Sequence, residues 1–187
     1  GRHLLGSDLI TDGQSVDAGQ AGTDPHARGF ALLGVVGRQP GVALLGGVLH
    51  CDIKLPGWPC EVTALCIHLN LFGHDRRKQM EQLSRYIERA VPRGNGLILA
   101  GDFNDWRRRA NHEFADELGL QEVHEAVHGQ HGKSFPARLP ILTLDRIYVR
   151  GFAVDKAEVH YGLPWSHISD HAALTTQLRP VAPAAGR

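Results

Sequence analysis

The residues best suited to chemistry follow an apolar run that ends at Gly101. Asp102 and Asn104 come directly after it, two positions apart, in the stretch LILAGDFNDW. Side chains at positions i and i+2 of an extended segment point the same way, so this carboxylate and this amide can face one small target together. Such a pair suits a hard cation with a water or a phosphoryl oxygen. Taken alone, the stretch is better explained as a polar strand end that leads into a turn.

Three further short motifs lie where strands are expected to begin or end. They are His68-Leu69-Asn70, Leu144-Asp145-Arg146-Ile147 and Ser169-Asp170-His171. Loops at strand ends are where catalytic side chains collect. Each motif also has a plain structural explanation: a histidine that ends a strand, a local ion pair between Asp145 and Arg146 on an exposed strand, or a turn at Ser169. The four motifs together, in this order, favour a functional site.

The ordered set of four resembles the endonuclease/exonuclease/phosphatase family of metal-dependent phosphoesterases, over roughly residues 48–178. The resemblance implies that water, assisted by Mg²⁺ or Mn²⁺, hydrolyses a phosphodiester or a phosphomonoester bond. Such a reaction needs an oriented water, neutralised charge at phosphorus and a stabilised leaving oxygen. An oxygen-rich site with few histidine ligands is typical of these two metals. The substrate is expected to be a phosphate ester, with nucleic acid, a lipid headgroup and an inositol phosphate left open.

The resemblance also implies roles for the central side chains. Asp102 would hold or deprotonate the attacking water and contribute to the metal site together with Asp170. Asn104 would donate a hydrogen bond to a phosphoryl oxygen. His171 would act on the scissile phosphate as a general base or as an electrostatic stabiliser. Asp145 would accept a hydrogen bond from that imidazole, set its tautomer and raise its pKa.

Substrate contacts are expected around this centre. His68 would bind the phosphate from the other side, and Asn70 belongs to the same motif as a substrate-binding residue. Arg76 lies in a basic cluster at the start of the first predicted helix, and Arg107 opens a second cluster after the Asp-Phe-Asn turn. We expect these cations to attract a polyanionic substrate, with Trp106 as a stacking surface. For any single arginine, ordinary solvated charge is the alternative.

Two alternative functions remain open at the level of sequence. His167, Asp170 and His171 are close enough in the chain for a zinc hydrolase, although no second histidine pair with ligand spacing accompanies them. Members of the family begin with a strand that carries an Asn and a Gln-Glu pair that supplies a metal-binding Glu, and neither precedes His68. We therefore expect the N-terminal side of the domain to be missing or replaced. A catalytically weak or inactive remnant of the fold is the second alternative.

The elements that must position these motifs follow from hydrophobic periodicity and turn residues. The predicted strands are residues 48–55, 61–69, 97–100, 142–149, 153–160 and 172–178. The predicted helices are residues 75–91 and 112–118. The first two strands are expected to form a hairpin, and Asp75 is expected to cap the long helix. This order predicts an α+β fold with a layered sandwich. The resemblance makes it a four-layer α/β sandwich of the DNase I-like type, incomplete at its N-terminal side.

The first 47 residues differ in composition from the rest of the chain. They hold 11 of the 22 glycines and contain no Lys, Glu or Tyr. Their apolar residues show no sustained period of two or 3.6. We expect residues 1–47 to be an irregular segment unlike the family, residues 48–179 to be the C-terminal part of the family domain, and residues 180–187 to be a frayed tail. A shifted reading frame is another explanation for the unusual start.

The overall composition excludes some classes of protein. Lys and Arg total 20 and Asp and Glu total 20, so no global basic field predicts binding to nucleic acid. No membrane-spanning apolar run or signal-peptide pattern is present, so a cytoplasmic protein without a membrane span is expected. A monomer is expected as well. The three cysteines form no C-x-x-C pair, which argues against a disulfide scaffold. Cys66 is expected to be a small core residue.

Overall fold

The computed structural model describes residues 48–55, 58–106 and 117–181. In chain order, its elements are β1 (Val48–Lys54), β2 (Glu61–His68), α1 (Gly73–Ala90), β3 (Gly96–Asp102), β4 (Gln121–Glu122), α2 (Val123–His128), β5 (Asp145–Arg150), β6 (Phe152–His160), a 3₁₀ helix (Trp165–His167) and β7 (Ala173–Pro180). The segment 1–47, most of the helix expected at 112–118, Arg107 and the tail from 182 onward lie outside the described residues. Within the described ranges, no helix has both the length and the apolar character that crossing a membrane requires.

Five strands form one mixed sheet in the order β1-β2-β3-β5-β4, and β6 and β7 form a separate two-stranded sheet. The predicted hairpin of β1 and β2 is confirmed as an antiparallel pair. β2 and β3 run parallel, joined by α1, and their register pairs His68 with Asp102. β5 runs antiparallel to β3, with Asp145 opposite Asp102. Backbone pairing alone therefore brings three of the four sequence motifs to one edge of the sheet.

One face of the sheet is covered by α1. Its apolar stripe contains Met80, Leu83 and Ile87, which are all buried and pack in one core cluster with Leu97 and Leu99 of β3. The helical spacing of this stripe matches the prediction, because residues three and four apart share one face of a helix. The stripe on α1 therefore fixes this helix behind the strands that carry the candidate site.

The start of α1 differs from the prediction. The N-cap position is the extended residue Phe72, and no side chain caps the helix there. Asp75 lies inside the first turn, where its negative charge still faces the positive end of the helix dipole. The carboxamide Oδ1 of Asn70 instead accepts a hydrogen bond from the backbone N–H of Phe72 at 3.1 Å. The helix begins two residues early because this loop, rather than Asp75, positions its first turn.

The second face of the sheet packs against α2, β6 and β7. A second core cluster contains Val123, Val149 and Ala157, with partly buried Ile98 and Ile147 from the central strands packed against it. α2 and β4 were not predicted from the sequence, because a six-residue helix and a two-residue strand are too short for their periodicity to be recognised.

Two other predictions, one about the start of β5 and one about Cys66 in β2, are wrong. The strand expected from Leu142 begins at Asp145, and Leu142 forms an isolated bridge with Phe135 instead. Cys66 is exposed and not a core residue. Its neighbours in β2, Leu65 and Ile67, face the α1 core, so Cys66 lies on the opposite face because side chains alternate along a strand.

Gly101 is required at the end of β3. Its φ of +142° is one that side chains of other residues rarely adopt, and a Cβ there would lie 1.9 Å from the carbonyl oxygen of Ile67. No other residue fits this approach of two backbones without a shift. The glycine therefore lets β3 stay paired with β2 up to Asp102, the first acid of the candidate site.

Candidate active site

The acids and the histidine of three motifs converge at the edge of the sheet. One ligand atom from each of Asp102, Asp145 and His171 can be chosen so that all three lie within 4.8 Å of one another. A cavity of about 360 Å³ opens beside them, lined by Asp145 and His171 and by apolar residues that include Ala100 and Leu174. The site therefore combines a polar cluster with space for a small group.

His171 is held by a carboxylate and by two neighbouring groups. Its Nδ1 lies 2.7 Å from Oδ2 of Asp145. Its backbone N–H donates to Oγ of Ser169 at 3.0 Å, and its ring centroid lies 5.1 Å from that of Phe135. Because the carboxylate can only accept, Nδ1 carries the proton, and Nε2 is left to act on a ligand.

The pKa of His171 is raised above its usual value. Partial burial alone would lower this pKa, but the hydrogen bond to Asp145 and the negative charges of Asp145, Asp102 and Asp170 outweigh the burial. The protonated imidazolium is therefore favoured more than in a free histidine. This shift matches the effect expected of an acid placed behind a histidine.

Asp102 lies between Asn104 and His68. Its Oδ1 accepts a hydrogen bond from the backbone N–H of Asn104 at 2.8 Å, and its Oδ2 lies 3.8 Å from Nε2 of His68. Burial raises the pKa of Asp102, and the charge of Asp145 adds to this effect, whereas the hydrogen bond from Asn104 opposes it. His68 itself is largely exposed and reaches the cluster from the β2 side.

Asn104 is buried and adopts a left-handed backbone conformation with φ of +48°. Asparagine tolerates this region better than most residues. Its Nδ2 donates to the carbonyl oxygen of Leu69 at 2.9 Å, which leaves one of its two amide N–H groups for another acceptor. The amide thus connects the end of β2 with the turn after β3.

Ser134 was not predicted from the sequence, although it fixes Asp145. It is fully buried, and its Oγ accepts hydrogen bonds from the backbone N–H groups of Asp145 at 3.0 Å and Leu144 at 3.3 Å. The backbone N–H of Ala172 also donates to the carbonyl oxygen of Ser134 at 2.6 Å. A lone serine in a loop carries no sequence signal for this role.

Arg146 lies beneath the site and not on the surface. It is 1% exposed, and its guanidinium contacts Asp105, with Nη1 at 3.5 Å from Oδ2 and Nη2 donating to the carbonyl oxygen. A local ion pair with Asp145 on an exposed strand is therefore excluded. The alternation of side chains in β5 is the signal for this outcome, because successive residues of a strand point to opposite faces.

The predicted substrate-binding residues differ in their surroundings. Arg76 is buried; its Nη1 donates to the carbonyl oxygen of Leu71 at 2.9 Å, and its guanidinium carbon lies 5.5 Å from the ring centroid of Trp106. Trp106 is exposed. The backbone N–H of Asn70 donates to Oε1 of Gln79 at 2.7 Å. Arg76 and Asn70 therefore hold the loop after β2, and their contact with substrate stays a prediction.

The three residues of the alternative zinc site do not form one group. Asp170 and His167 are exposed, and His167 ends the 3₁₀ helix. Among the described residues, His171 groups with Asp102 and Asp145 and not with these two neighbours in sequence. The geometry therefore favours an oxygen-rich site, as predicted for Mg²⁺ or Mn²⁺.

A second acidic cluster around α2 has a structural explanation. Glu122 is the N-cap of α2, where its carboxylate accepts from the backbone N–H groups of His124 at 3.1 Å and Glu125 at 2.7 Å. Nδ1 of the buried His131 lies 3.0 Å from the same carboxylate. Burial alone would raise the pKa of Glu122, but these hydrogen bonds together lower it. This acid therefore stabilises α2 in its ionised form.

Replacing Glu122 with glutamine is expected to destabilise the fold by about 2 kcal/mol at neutral pH, because a neutral carboxamide replaces a buried carboxylate that accepts two backbone N–H groups and contacts His131. Because the pKa is lowered on folding, the stabilisation is present above the unfolded pKa and is lost as the pH falls through the folded pKa. Urea denaturation at neutral and acidic pH should show the difference from wild type shrinking in acid. The exposed Glu81→Gln is the matched control; an equal loss of stability in both variants contradicts the prediction.

The sequence profile of the endonuclease/exonuclease/phosphatase family matches residues 10–171. The chain belongs to this family. The matched range begins at residue 10 and therefore includes most of the segment 1–47. The division of the chain at residue 47 stays a prediction.

Relatives and solved structures agree with this membership. The uncharacterized protein YbhP of Escherichia coli (strain K12) is 36% identical over 132 residues, which are 71% of this chain and 52% of YbhP. The chain thus spans about half the length of this curated relative. A family member from Bacteroides vulgatus has a TM-score of 0.61 at 19% identity, covering 71% of this chain and 55% of that one. TDP2 of D. rerio, complexed with a single-strand DNA product, has a TM-score of 0.56 at 20% identity, covering 75% and 64%.

The structural matches show a shared fold. The mixed α/β structure, with its five-stranded mixed sheet, matches these structures over 71–76% of the chain. The donor atoms at the candidate site also fit a divalent cation. Asp102 and Asp145 each use one carboxylate oxygen in the hydrogen bonds to Asn104 and His171, and the second oxygen of each carboxylate is the kind of ligand that Mg²⁺ prefers.

Proposed function

We propose that this chain hydrolyses phosphodiester or phosphomonoester bonds by attack of a water, in the presence of Mg²⁺ or Mn²⁺. The observation that carries the proposal is the pairing of His171 with Asp145 at 2.7 Å, within 4.8 Å of the carboxylate of Asp102. Phosphoryl transfer depends on positioning and on charge stabilisation at the phosphate. An oriented imidazole beside two acids supplies both.

Asp102 and Asp145 would hold the divalent cation, and the exposed Asp170 is a proposed further contributor. When bound, the cation neutralises charge on the phosphoryl oxygens and polarises a water. Asp102 accepts the proton of the attacking water, and its partial burial makes the carboxylate a better base. The remaining reaction steps depend on the histidines and on Asn104.

His171 directs Nε2 at the scissile phosphate, because Nδ1 is bound to Asp145. Its raised pKa favours the imidazolium, which stabilises the negative charge that develops on the phosphoryl oxygens. The second amide N–H of Asn104 donates to one of those oxygens, and the exposed His68 binds the phosphate from the β2 side. In this proposal Asp102 activates the water, and His171, Asn104 and His68 stabilise the charge on the phosphate.

Further expectations belong to the same proposal. TDP2 is complexed with a DNA product, which supports nucleic acid as one candidate substrate; Trp106 would stack on a base and Arg107 would contact phosphates. The four-layer sandwich of the DNase I-like type is proposed for the complete domain and is supported by two core clusters on opposite faces of the sheet. The monomeric state and the cytoplasmic location stay predictions.

The test is hydrolysis of bis(p-nitrophenyl) phosphate and p-nitrophenyl phosphate by the purified chain, after EDTA treatment and after return of Mg²⁺, Mn²⁺ or Zn²⁺. We expect hydrolysis that EDTA abolishes and that Mg²⁺ or Mn²⁺ restores. Asp102→Asn should lower kcat by about 100-fold, because the neutral amide holds a divalent cation less strongly than a carboxylate does and cannot accept the proton of the water. The two substrates separate diesterase from monoesterase activity.

Asp155→Asn is the matched control, because Asp155 is exposed and pairs with Arg179, whose Nη2 lies 2.7 Å from its carboxylate. Its kcat should stay close to that of the wild type. Recovery with Zn²⁺ alone would support the zinc hydrolase instead. Absence of both hydrolysis and Mg²⁺ binding by calorimetry would identify the chain as an inactive remnant and overturn the proposal.

A further inference from the structure

Exposed apolar side chains are concentrated in two loops beside the candidate site. Of the thirteen large apolar side chains that are exposed in the described part of the chain, seven lie at residues 139–142 and 161–168. Leu142 belongs to the backbone bridge with Phe135 and is set apart from the group, although its side chain is also exposed. The other six, here called the apolar rim, are 38% to 76% exposed: Leu139, Ile141, Tyr161, Leu163, Trp165 and Ile168. Scattered apolar residues are ordinary on protein surfaces, but such a concentration marks an interaction site.

Backbone hydrogen bonds join the two loops into one surface. The N–H of Ala137 donates to the carbonyl oxygen of Asp170 at 2.7 Å, and the N–H of Gly162 donates to the carbonyl oxygen of Ala137 at 2.8 Å. The ring of Trp165 is supported by His160, with 5.0 Å between the ring centroids. The apolar rim is therefore presented by a hydrogen-bonded framework and does not consist of separate loop tips.

The apolar rim borders the side of the site that carries His171. Asp170 and His171 follow the second loop after Ser169, and the ring centroid of Phe135, four residues before the first loop, lies 5.1 Å from that of the His171 imidazole. Any large surface that contacts the apolar rim therefore lies next to the cavity. Because the apolar rim lies beside the candidate site, we interpret it as a binding surface and not as a chance cluster of exposed apolar residues.

The charges around the apolar rim indicate the kind of partner. In residues 132–142 and 161–170, the charged side chains are Lys133, Arg138 and Asp170, and both cations are exposed. Tyr and Trp prefer the boundary between lipid headgroups and acyl chains, aliphatic side chains enter that boundary, and Lys and Arg attract anionic headgroups. Protein-binding hot spots are poor in leucine, whereas leucine and isoleucine make up four of these six residues.

We propose that the apolar rim docks this protein on the surface of a lipid bilayer that contains anionic phospholipids. The aliphatic side chains enter the headgroup region, Trp165 and Tyr161 lie at its boundary, and Lys133 and Arg138 contact lipid phosphates. The contact is peripheral, in keeping with the absence of a spanning helix from the described ranges. It does not depend on the proposed hydrolysis, because the bilayer is recognised by side chains outside the cavity.

The test is co-sedimentation of the purified chain with vesicles of phosphatidylcholine alone and of phosphatidylcholine with phosphatidylserine. Wild type should bind the anionic vesicles, and the double variant Leu163→Glu/Ile168→Glu should bind about tenfold more weakly. Leu49→Glu/Val181→Glu is the matched control, because both residues are exposed, lie outside the apolar rim and receive the same charges. Circular dichroism should show that both double variants are folded.

Fluorescence gives a second measurement of the same contact. In a Trp58→Phe/Trp106→Phe background, emission from Trp165 should shift to shorter wavelength when anionic vesicles are added, because the indole enters a less polar environment. Failure of wild type to bind either vesicle, or an equal loss of binding in the matched control, overturns the proposal. So does concentration-dependent dimerisation that Leu163→Glu/Ile168→Glu abolishes, since the partner is then a second copy of the chain. Hydrolysis of the soluble esters is measured separately, so its absence leaves the vesicle result unaffected.

Discussion

Replacing His171 with glutamine is expected to lower kcat for phosphodiester hydrolysis by about 1,000-fold, within the range that general acid–base and charge-stabilising groups contribute. The carboxamide keeps much of the side-chain volume and can still donate to Asp145. It can neither take up a proton nor present a positive charge to the phosphate. Steady-state kinetics with bis(p-nitrophenyl) phosphate measures the effect, and KM should change much less than kcat if the charge acts mainly in the transition state.

His160→Gln is the control for this substitution. His160 is the last residue of β6 and is half-buried, and its Nε2 lies 2.7 Å from Oγ1 of Thr175 on β7. Its kcat should match that of the wild type, and both variants should unfold at the wild-type temperature. A His171→Gln variant with nearly normal kcat would show that this imidazole does not act on the phosphate. A parallel loss in His160→Gln would show that the effect is not specific to the site.

The second large effect is on stability. Arg146→Met is expected to reduce the free energy of unfolding by about 3–5 kcal/mol, because it leaves the buried carboxylate of Asp105 without the cation that contacts it. The guanidinium also donates to the backbone carbonyl of Asp105, which follows Asn104 in the turn of the candidate site. Urea denaturation measures the loss, and a fall in kcat in the folded variant would report the displaced turn.

A double-mutant cycle distinguishes the ion pair from lost packing. Asp105→Asn removes the charge that Arg146 neutralises, so the double variant Asp105→Asn/Arg146→Met should be more stable than the sum of the two single changes predicts. Arg85→Met is the surface control, since Arg85 forms an exposed pair with Glu81 and should cost at most about 0.5 kcal/mol. Strict additivity in the cycle would contradict the pairing of Arg146 with Asp105.

The regular elements could be predicted because each has its own local pattern. The apolar stripe of α1 is predicted by hydrophobic periodicity, and the hairpin of β1 and β2 by a Pro-Gly sequence between two strand patterns. The stripe and the hairpin are both present in the structure. The candidate site could be predicted in part, because its residues lie at the ends of strands and the family resemblance implied their roles. The hydrogen bond between His171 and Asp145, at 2.7 Å, is the interaction that the family resemblance implied.

The remaining contacts depend on tertiary packing, which a single sequence does not encode locally. Ser134 and Arg146 act through partners at a sequence separation of 11 and 41 residues, respectively. The short helix α2 is stabilised by the buried Glu122 and by packing on β6, and its six residues are below the length at which a helix is stable alone. Predicting such features requires knowledge of which segments meet.

The register between β2 and β3 has a consequence for how the family can diversify. His68 and Asp102 occupy paired positions whose backbones are held by the ladder itself. A change of either side chain therefore alters reactivity without removing backbone hydrogen bonds between β2 and β3. An inherited scaffold of this kind can keep its architecture while the chemistry at its edge is modified one residue at a time.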